Sequence, residues 1–199
     1  MTNLPIVLAS KSPARAAVLT GAGLTFETLD SGVDEDLVKA HLLVENASPK
    51  TVAEVLAEKK ALAVSATHPA WVIGADQTLE FDGGLYDKVS DLAMAADRLR
   101  LMRGRSHKLH SAVVLAHQGV TVWRDCVTAE LTMRPFSETF LTRYLEMEGA
   151  ACLGSVGCYR LEGPGAQLFS RIDGDYFSIL GLPLLGLLEH LRTVGVVKR

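Results

Sequence analysis

A hydrophobic run that ends in two small residues and an acid constrains the fold of this chain most strongly. Trp71-Val-Ile73 is aromatic and β-branched, which favours a buried strand. Gly74-Ala75 then removes side-chain bulk, so another group can approach the backbone closely. Asp76 follows where we expect the strand to leave the core, and open α/β sheets place their chemistry at such ends. Asp76 is therefore predicted to be a catalytic carboxylate or an ordinary turn residue.

A second junction of this kind lies near the N-terminus. Residues 6–9 predict a strand, and Ser12-Pro13 predicts a helix cap followed by the first helical residue. The free N–H groups of a helix start attract anions. Arg15 in the first turn opposes the helix dipole, which suggests a cation kept for a phosphate. A solvated surface arginine is the alternative.

Two further helices are predicted to carry charged candidates. The acidic turn Asp34-Glu35-Asp36 is typical of a helix start but could also supply a metal ligand. Ser48-Pro49 begins a long helix to about Ala66, with Lys60 at the edge of its apolar stripe. The Lys60 stem can lie on apolar surface while its ammonium group reaches outward. Lys59 is the more plausible surface residue.

The second half of the chain completes an alternating pattern of strands and helices. Asp82-Gly-Gly84 predicts a hairpin, which returns Lys88 near the end of the sheet that holds Asp76. Glu162 lies in a glycine-rich loop. We predict an α/β fold over residues 1–199, a single compact mixed-sheet domain with flanking helices and two lobes around a central cleft. Other predicted strands cover 25–29, 107–116, 120–133 and the region of 168–172, and other predicted helices cover 37–44, 91–104, 138–147 and the segment after Leu182-Pro183.

Composition excludes several classes of protein. The net charge of −3 argues against nucleic acid and anionic membranes as partners. The three cysteines have no C-x-x-C spacing, which predicts free thiols rather than a disulfide framework or a zinc site. His107 and His110, three apart on a predicted strand, face opposite sides and make a poor metal pair. The apolar runs are too short for a signal peptide or a membrane span, so we expect a cytoplasmic protein.

The remaining charged candidates suit one type of chemistry. They are three carboxylates and three cations at loops or helix edges: Glu35, Asp76, Glu162, Arg15, Lys60 and Lys88. Cations and a helix start can neutralise a polyphosphate, while carboxylates hold a divalent metal and orient or deprotonate the attacking water. This pattern predicts hydrolysis of a phosphoanhydride.

Five segments in this order resemble the Maf family of nucleoside triphosphate pyrophosphatases: Leu8-Ala-Ser-Lys-Ser-Pro-Ala-Arg15, Leu56-Ala-Glu-Lys-Lys60-Ala, Val72-Ile-Gly-Ala-Asp76, Lys88 and Gly181-Leu-Pro183. The resemblance spans nearly the whole chain. It implies cleavage of a nucleoside triphosphate to monophosphate and pyrophosphate, with Mg²⁺ or Mn²⁺, and suggests a homodimer. It places the catalytic aspartate at Asp76 and phosphate contacts at Ser10, Arg15, Lys60 and Lys88.

The chain also departs from the family pattern. Ala14 stands where a second arginine is usual, and Val89 stands where proline is usual. Gln77 and Glu162 resemble the 7-methyl-GTP branch more than the dTTP/UTP branch. We therefore expect a modified purine substrate such as 7-methyl-GTP, with dTTP or UTP as the alternative. A non-catalytic nucleotide-binding regulator of septum formation is the rival from a different functional class.

Overall fold

The computed structural model of the protein describes residues 5–198, within which the strands form one mixed sheet of seven. The sheet order is β2-β1-β3-β5-β6-β7, and β4 pairs with the far end of β3. β1 runs parallel to β2 and β3, and the other pairs are antiparallel. The strands are β1 Ile6–Ala9, β2 Glu27–Thr28, β3 Trp71–Phe81, β4 Gly84–Tyr86, β5 Ser106–His117, β6 Val120–Met133 and β7 Phe169–Asp173.

Seven α-helices flank this sheet in the described part of the chain, which confirms the predicted α/β class. They are α1 Pro13–Gly21, α2 Glu35–Val44, α3 Pro49–Ser65, α4 Leu92–Met102, α5 Glu138–Glu148, α6 Tyr176–Ile179 and α7 Leu184–Thr193. Short 3₁₀ helices occur at Gly149–Gly154 and Pro164–Leu168. No helix within residues 5–198 has both the length and the apolar composition that crossing a bilayer requires.

The helix starts follow the predicted capping residues. Ser12 and Ser48 each accept a backbone N–H three residues on, and each precedes a proline in the first turn. Asp34 caps α2 and Asp91 caps α4 in the same way. Because each cap satisfies one of the free N–H groups of its helix, the local sequence alone fixes these starts.

Helix α3 packs directly on β3 because both surfaces lack bulk. A Cβ atom at Gly74 would lie 2.3 Å from the Ala57 carbonyl oxygen and 2.5 Å from the Ala61 nitrogen. Ala53, Ala57 and Ala61 are all fully buried on this face of α3. The glycine that the sequence marked as a point of close approach therefore meets a helix, and this contact places Lys60 beside Asp76.

Two large apolar cores cover different halves of the long strands. One contains Ile73 and Leu115 with α1 and α7, and the other contains Leu79 and Leu131 with α4 and α5. Asp76 lies on β3 between these halves. Gln77 and Ser111 lie between the two cores on their shared face, while Asp76 points to the opposite face and meets Lys60 of α3.

Two predicted boundaries were wrong. β3 does not end before Asp76 but continues to Phe81, because β5 pairs with it as far as Glu80. The strand that does end here is β1, whose last pair joins Ala9 to Gly74. Because β1 ends beside Gly74, no strand within residues 5–198 covers this edge of β3 at Asp76, and Asp76 lines the cleft there. β2 is also shorter than the predicted 25–29, since only Glu27–Thr28 pairs with β1.

Candidate active site

A cleft of about 860 Å³ opens beside the carboxyl end of β1 and the middle of β3. The first turns of α1 and α2 and the loops around residues 87–88 and 154–162 contribute to its lining. The structure brings all seven candidate side chains to this single cleft: Ser10, Arg15, Glu35, Lys60, Asp76, Lys88 and Glu162. Six separate parts of the chain thus contribute residues to one cleft, as the prediction of a single site requires.

The centre of the cleft is a buried ammonium group held by two carboxylates. Lys60 Nζ lies 2.7 Å from Asp76 Oδ1 and 2.6 Å from Glu35 Oε1. The side chains of Lys60 and Asp76 are 7% and 8% exposed, whereas that of Glu35 is 44% exposed. Asp76 Oδ2 receives no hydrogen bond from residues 5–198. One oxygen of Asp76 is therefore fixed by lysine and the other is available to a ligand or to water.

Burial and charge act differently on the two carboxylates. Burial raises the pKa of Asp76, and the charges of Lys60 and Arg15 offset only part of this rise. Burial alone would also raise the pKa of Glu35, but its hydrogen bond to Lys60 and the surrounding cations lower it below the ordinary value. Lys60 thus contacts two carboxylates of different basicity, the more basic Asp76 and the more acidic Glu35.

Arg15 is buried behind this centre, although the sequence placed it at a helix edge. Its Nε donates to the Gly181 carbonyl at 2.9 Å, and its Nη1 donates to Ser10 Oγ at 3.1 Å. Gly181 has a φ of 94°, a conformation that favours glycine, and this explains the glycine of the Gly-Leu-Pro segment. Burial lowers the pKa of Arg15, opposed by Asp76 and Glu35, but a guanidinium remains charged.

Lys88 and Glu162 lie on the outer, solvent-facing wall. Both side chains are exposed, and neither forms a hydrogen bond or ion pair within the described part of the chain. The loop carrying Glu162 is nevertheless anchored, because Arg160 Nε donates at 2.8 Å to Glu148, whose side chain is fully buried. These two residues therefore project from supported backbone with side chains free to meet a ligand.

Gln77 was one of two residues that suggested the preferred nucleobase, but its side chain is not placed to contact a base. It alternates with Asp76 on β3 and points to the opposite face of the sheet. Its Nε2 donates to Ser111 Oγ at 2.8 Å and to the carbonyls of Ser178 and Ile179. Gln77 therefore anchors α6 to the sheet, although part of it lines the cleft.

Sequence reasoning missed one residue that lines the cleft, Lys39, and one that supports its loops from outside, Arg98. Lys39, one turn after Glu35, lines the cleft and pairs with Asp87 at 2.6 Å. Arg98 on α4 donates to the carbonyls of Asp87 and Val156, and so joins the two outer loops. The i, i+4 spacing of Glu35 and Lys39 could have indicated a shared helix face. No local signal predicts the contacts of Arg98.

The donor set fits a divalent cation bound together with substrate. Within residues 5–198, no three His, Cys, Asp or Glu side chains cluster closely enough to hold a metal by themselves. Asp76 and Glu35 nevertheless present two hard oxygen donors around one ammonium group. Mg²⁺ is commonly held by one or two carboxylates plus substrate phosphates, so this pair matches that pattern.

The histidines and cysteines play no part in the cleft centre. His107 Nε2 and the Tyr159 hydroxyl are 2.6 Å apart, and burial lowers the pKa of His107 to about 4. His110 instead contacts Thr128 and Glu80, so the two histidines have separate partners. The three cysteines, Cys126, Cys152 and Cys158, are free, as predicted.

Comparison with known proteins identifies the family of this chain. The family described as Maf-like protein matches residues 5–194. The chain belongs to the Maf family. A Caulobacter vibrioides relative named nucleoside triphosphate pyrophosphatase is 53% identical over 197 residues, covering 99% of both chains. Relatives named 7-methyl-GTP pyrophosphatase, from Brucella suis and Rhizobium etli, are 50% and 48% identical over 191 and 193 residues, covering 96% of this chain and 96% and 97% of their own.

Proposed function

We propose that this Maf protein hydrolyses nucleoside triphosphates to the monophosphate and pyrophosphate. The observation that carries the proposal is the buried Asp76–Lys60–Glu35 cluster, which shares one cleft with Arg15, Lys88 and the start of α1. A site that only bound a polyanion would need cations, and a buried carboxylate facing the phosphates would oppose binding. A carboxylate is required once water must be activated. The names of the relatives belong to the same reaction class.

Asp76 is the proposed general base. Its Oδ1 is held by Lys60, and its Oδ2 can accept the proton of a water molecule that attacks the triphosphate. The water oxygen then forms a bond to phosphorus, the bond between the α- and β-phosphates breaks, and pyrophosphate leaves with the electron pair. The raised pKa of Asp76 makes it a stronger base than an exposed aspartate.

Cations of the cleft neutralise the charge that the reaction moves onto the leaving group. Arg15 and Ser10 lie at the α1 start, where free backbone N–H groups also favour an anion. Lys88 adds an exposed cation to the lining of the same cleft. Glu35 and Asp76 would hold a divalent cation against the phosphates, which would supply further charge neutralisation when bound.

We further propose a preference for 7-methyl-GTP or another modified purine over dTTP and UTP. Gln77 is committed to α6, so Glu162 on the outer wall is the better candidate for contact with the base. An ionised carboxylate only accepts hydrogen bonds, which suits the N–H donors of guanine and the positive charge of a 7-methylated ring. It suits the mixed edge of thymine or uracil less well.

Pyrophosphate release across a panel of normal and modified triphosphates, with Mg²⁺ or Mn²⁺, tests this proposal. We expect hydrolysis of at least one purine triphosphate, stoichiometric monophosphate and loss of activity with a chelator. Tight binding without turnover of any substrate would favour the alternative, a regulator of septum formation. Release of single phosphate instead of pyrophosphate would contradict the reaction.

A further inference from the structure

Lys39 faces the same cleft as the proposed catalytic cluster, one helical turn farther along α2. It follows Glu35 by four residues, so the two side chains share a face and their backbones are separated by a rise of about 6 Å along the axis. Glu35 contacts Lys60, and Lys39 contacts Asp87 beside Lys88. Lys39 therefore lies between the carboxylate centre and the cation of the outer wall.

The setting of Lys39 is unusual for a lysine on a surface helix. Its side chain is only 16% exposed, whereas that of its partner Asp87 is 55% exposed. Burial alone would lower the pKa of Lys39, but Asp87, Glu35 and Asp76 together raise it, so the ammonium stays charged. The lysine is thus fixed in the wall of the cleft, while the aspartate that covers it faces solvent.

Most other cations of the cleft already have interior partners. Lys60 is held by two carboxylates, Arg15 donates to Gly181 and Ser10, and Arg160 is held by the buried Glu148. Ala14 offers no charge beside Arg15. Lys88 is exposed without a partner within residues 5–198, and Lys39 offers the cleft a second cation whose partner faces solvent.

Asp87 can leave Lys39 at little cost. The Asp87 carboxylate is 55% exposed, so water can replace Lys39 around it once the pair separates. A phosphate oxygen would replace one acceptor by another of higher charge on the same half-buried ammonium. The exchange also removes a negative charge from the path of the polyphosphate.

We propose that Lys39 is a further polyphosphate-binding residue, which exchanges Asp87 for the phosphates of the ligand. This inference rests on the proposed function for the identity of the ligand. Asp87 acts as a competing anion that occupies Lys39 in the absence of ligand. Lys39 and Asp87 thus have opposite effects on binding, although they contact each other.

The competing explanation is a structural brace. In that case the Lys39–Asp87 pair fastens α2 to the loop that carries Lys88, and the loss of either partner weakens binding by the same route. Leu42 is the one buried residue of α2, so a brace that fastens this helix is physically reasonable. The two explanations predict opposite signs for the effect of changing Asp87.

Binding of inorganic pyrophosphate, measured by calorimetry with Mg²⁺ present, distinguishes them without requiring turnover. We expect Lys39→Met to weaken binding about tenfold or more, because a charge-assisted hydrogen bond is lost. We expect Asp87→Asn to tighten binding about two- to fivefold, because the competing ion pair is removed. Adding Asp87→Asn to Lys39→Met should then have little effect, since the aspartate acts through the lysine.

Two matched variants control for general charge effects. Lys59→Met removes an exposed lysine of α3 outside the cleft, and Asp36→Asn removes an exposed carboxylate that lines the cleft without contacting Lys39. We expect Lys59→Met not to weaken pyrophosphate binding as Lys39→Met does, and Asp36→Asn not to tighten it as Asp87→Asn does. Weaker binding in Asp87→Asn, or unchanged binding in Lys39→Met, overturns the exchange. Because pyrophosphate binding is measured directly, an absence of triphosphate hydrolysis would count against the proposed function and leave this test intact.

Discussion

The two walls of the cleft differ in how their charges are held. On the inner wall, Lys60, Asp76 and Arg15 are buried and joined to each other or to backbone carbonyls. On the outer wall, Lys88 and Glu162 are exposed, with no side-chain partner in the described residues. The inner wall is part of the packed core, whereas the outer wall consists of loops tied back by Arg98 and Arg160.

This difference separates chemistry from selection of the ligand. A buried charge must be paired, and its partners hold it in one position, which suits a group that activates water. An exposed charge has no fixed orientation and can adapt to a ligand, but it contributes less to any one geometry. We therefore expect changes on the inner wall to affect turnover and stability, and changes on the outer wall to affect affinity and preference.

Asp76→Asn should have the largest effect. Asparagine keeps an acceptor for Lys60 but cannot take a proton from water. We expect kcat to fall by a factor on the order of 10² to 10⁴ while the fold is retained. Steady-state kinetics and circular dichroism measure both quantities. Asp82→Asn, the same change at the exposed hairpin turn of β3, is the matched control, and near wild-type turnover in Asp76→Asn would make Asp76 a structural residue.

The same glycine-to-alanine change should lower stability much more in the core behind the inner wall, at Gly74, than on the outer wall, at Gly154. At Gly74 the new Cβ would meet the α3 backbone at 2.3 Å, so the helix must shift, at a cost of about 3 kcal/mol or more. Gly154 on the outer wall has no atom within 4 Å of that position, and we expect a change below about 0.5 kcal/mol. Urea denaturation compares the two, and equal midpoints would show that the α3–β3 contact is not tight.

Arg15→Ala and Lys88→Ala should both lower kcat/KM, and the decrease should be larger for Arg15→Ala. Arg15→Ala also leaves the buried Gly181 carbonyl without its donor, which costs about 1–3 kcal/mol of stability. Lys88→Ala should lower kcat/KM about tenfold through KM, with the melting temperature unchanged. Lys59→Ala controls for the loss of a lysine outside the cleft. An equally destabilised Lys88→Ala would contradict the division between walls.

Much of this fold was predictable because its signals are local. The caps at Ser12, Ser48 and Ser137 begin helices where expected. The Asp82-Gly83 hairpin has φ values of 51° and 76°, which match a type I′ turn. In each case the residue types in a short window determine the backbone. The short helix α6 was missed because it has only four residues, too few for an apolar period.

The residues of the site could be predicted from the sequence, but the burial of their side chains could not. Motifs located Arg15 and Lys60, yet both were expected at edges, and both are buried by elements distant in sequence. Arg15 contacts Gly181, 166 residues away. Lys39 and Arg98 were missed for the same reason, since a contact between segments distant in sequence leaves no periodic pattern in either of them. The roles of the seven candidates remain predictions, which the kinetics of the substituted proteins test.

Glu162→Gln should have the smallest effect, a shift in preference with little loss of rate. Glutamine keeps the shape of the side chain but adds a donor, so it can match the mixed donor and acceptor edge of uracil. Because Glu162 is exposed, solvent limits the discrimination, and we expect the ratio of kcat/KM for 7-methyl-GTP over UTP to fall about two- to fivefold. Competition assays with both triphosphates measure this ratio directly, free of errors in enzyme concentration. Glu45→Gln, an exposed change at the end of α2 outside the cleft, should leave the ratio at the wild-type value. If Glu162→Gln also leaves it there, then Glu162 contacts water or metal rather than the base, and the outer wall selects its ligand through the phosphates alone.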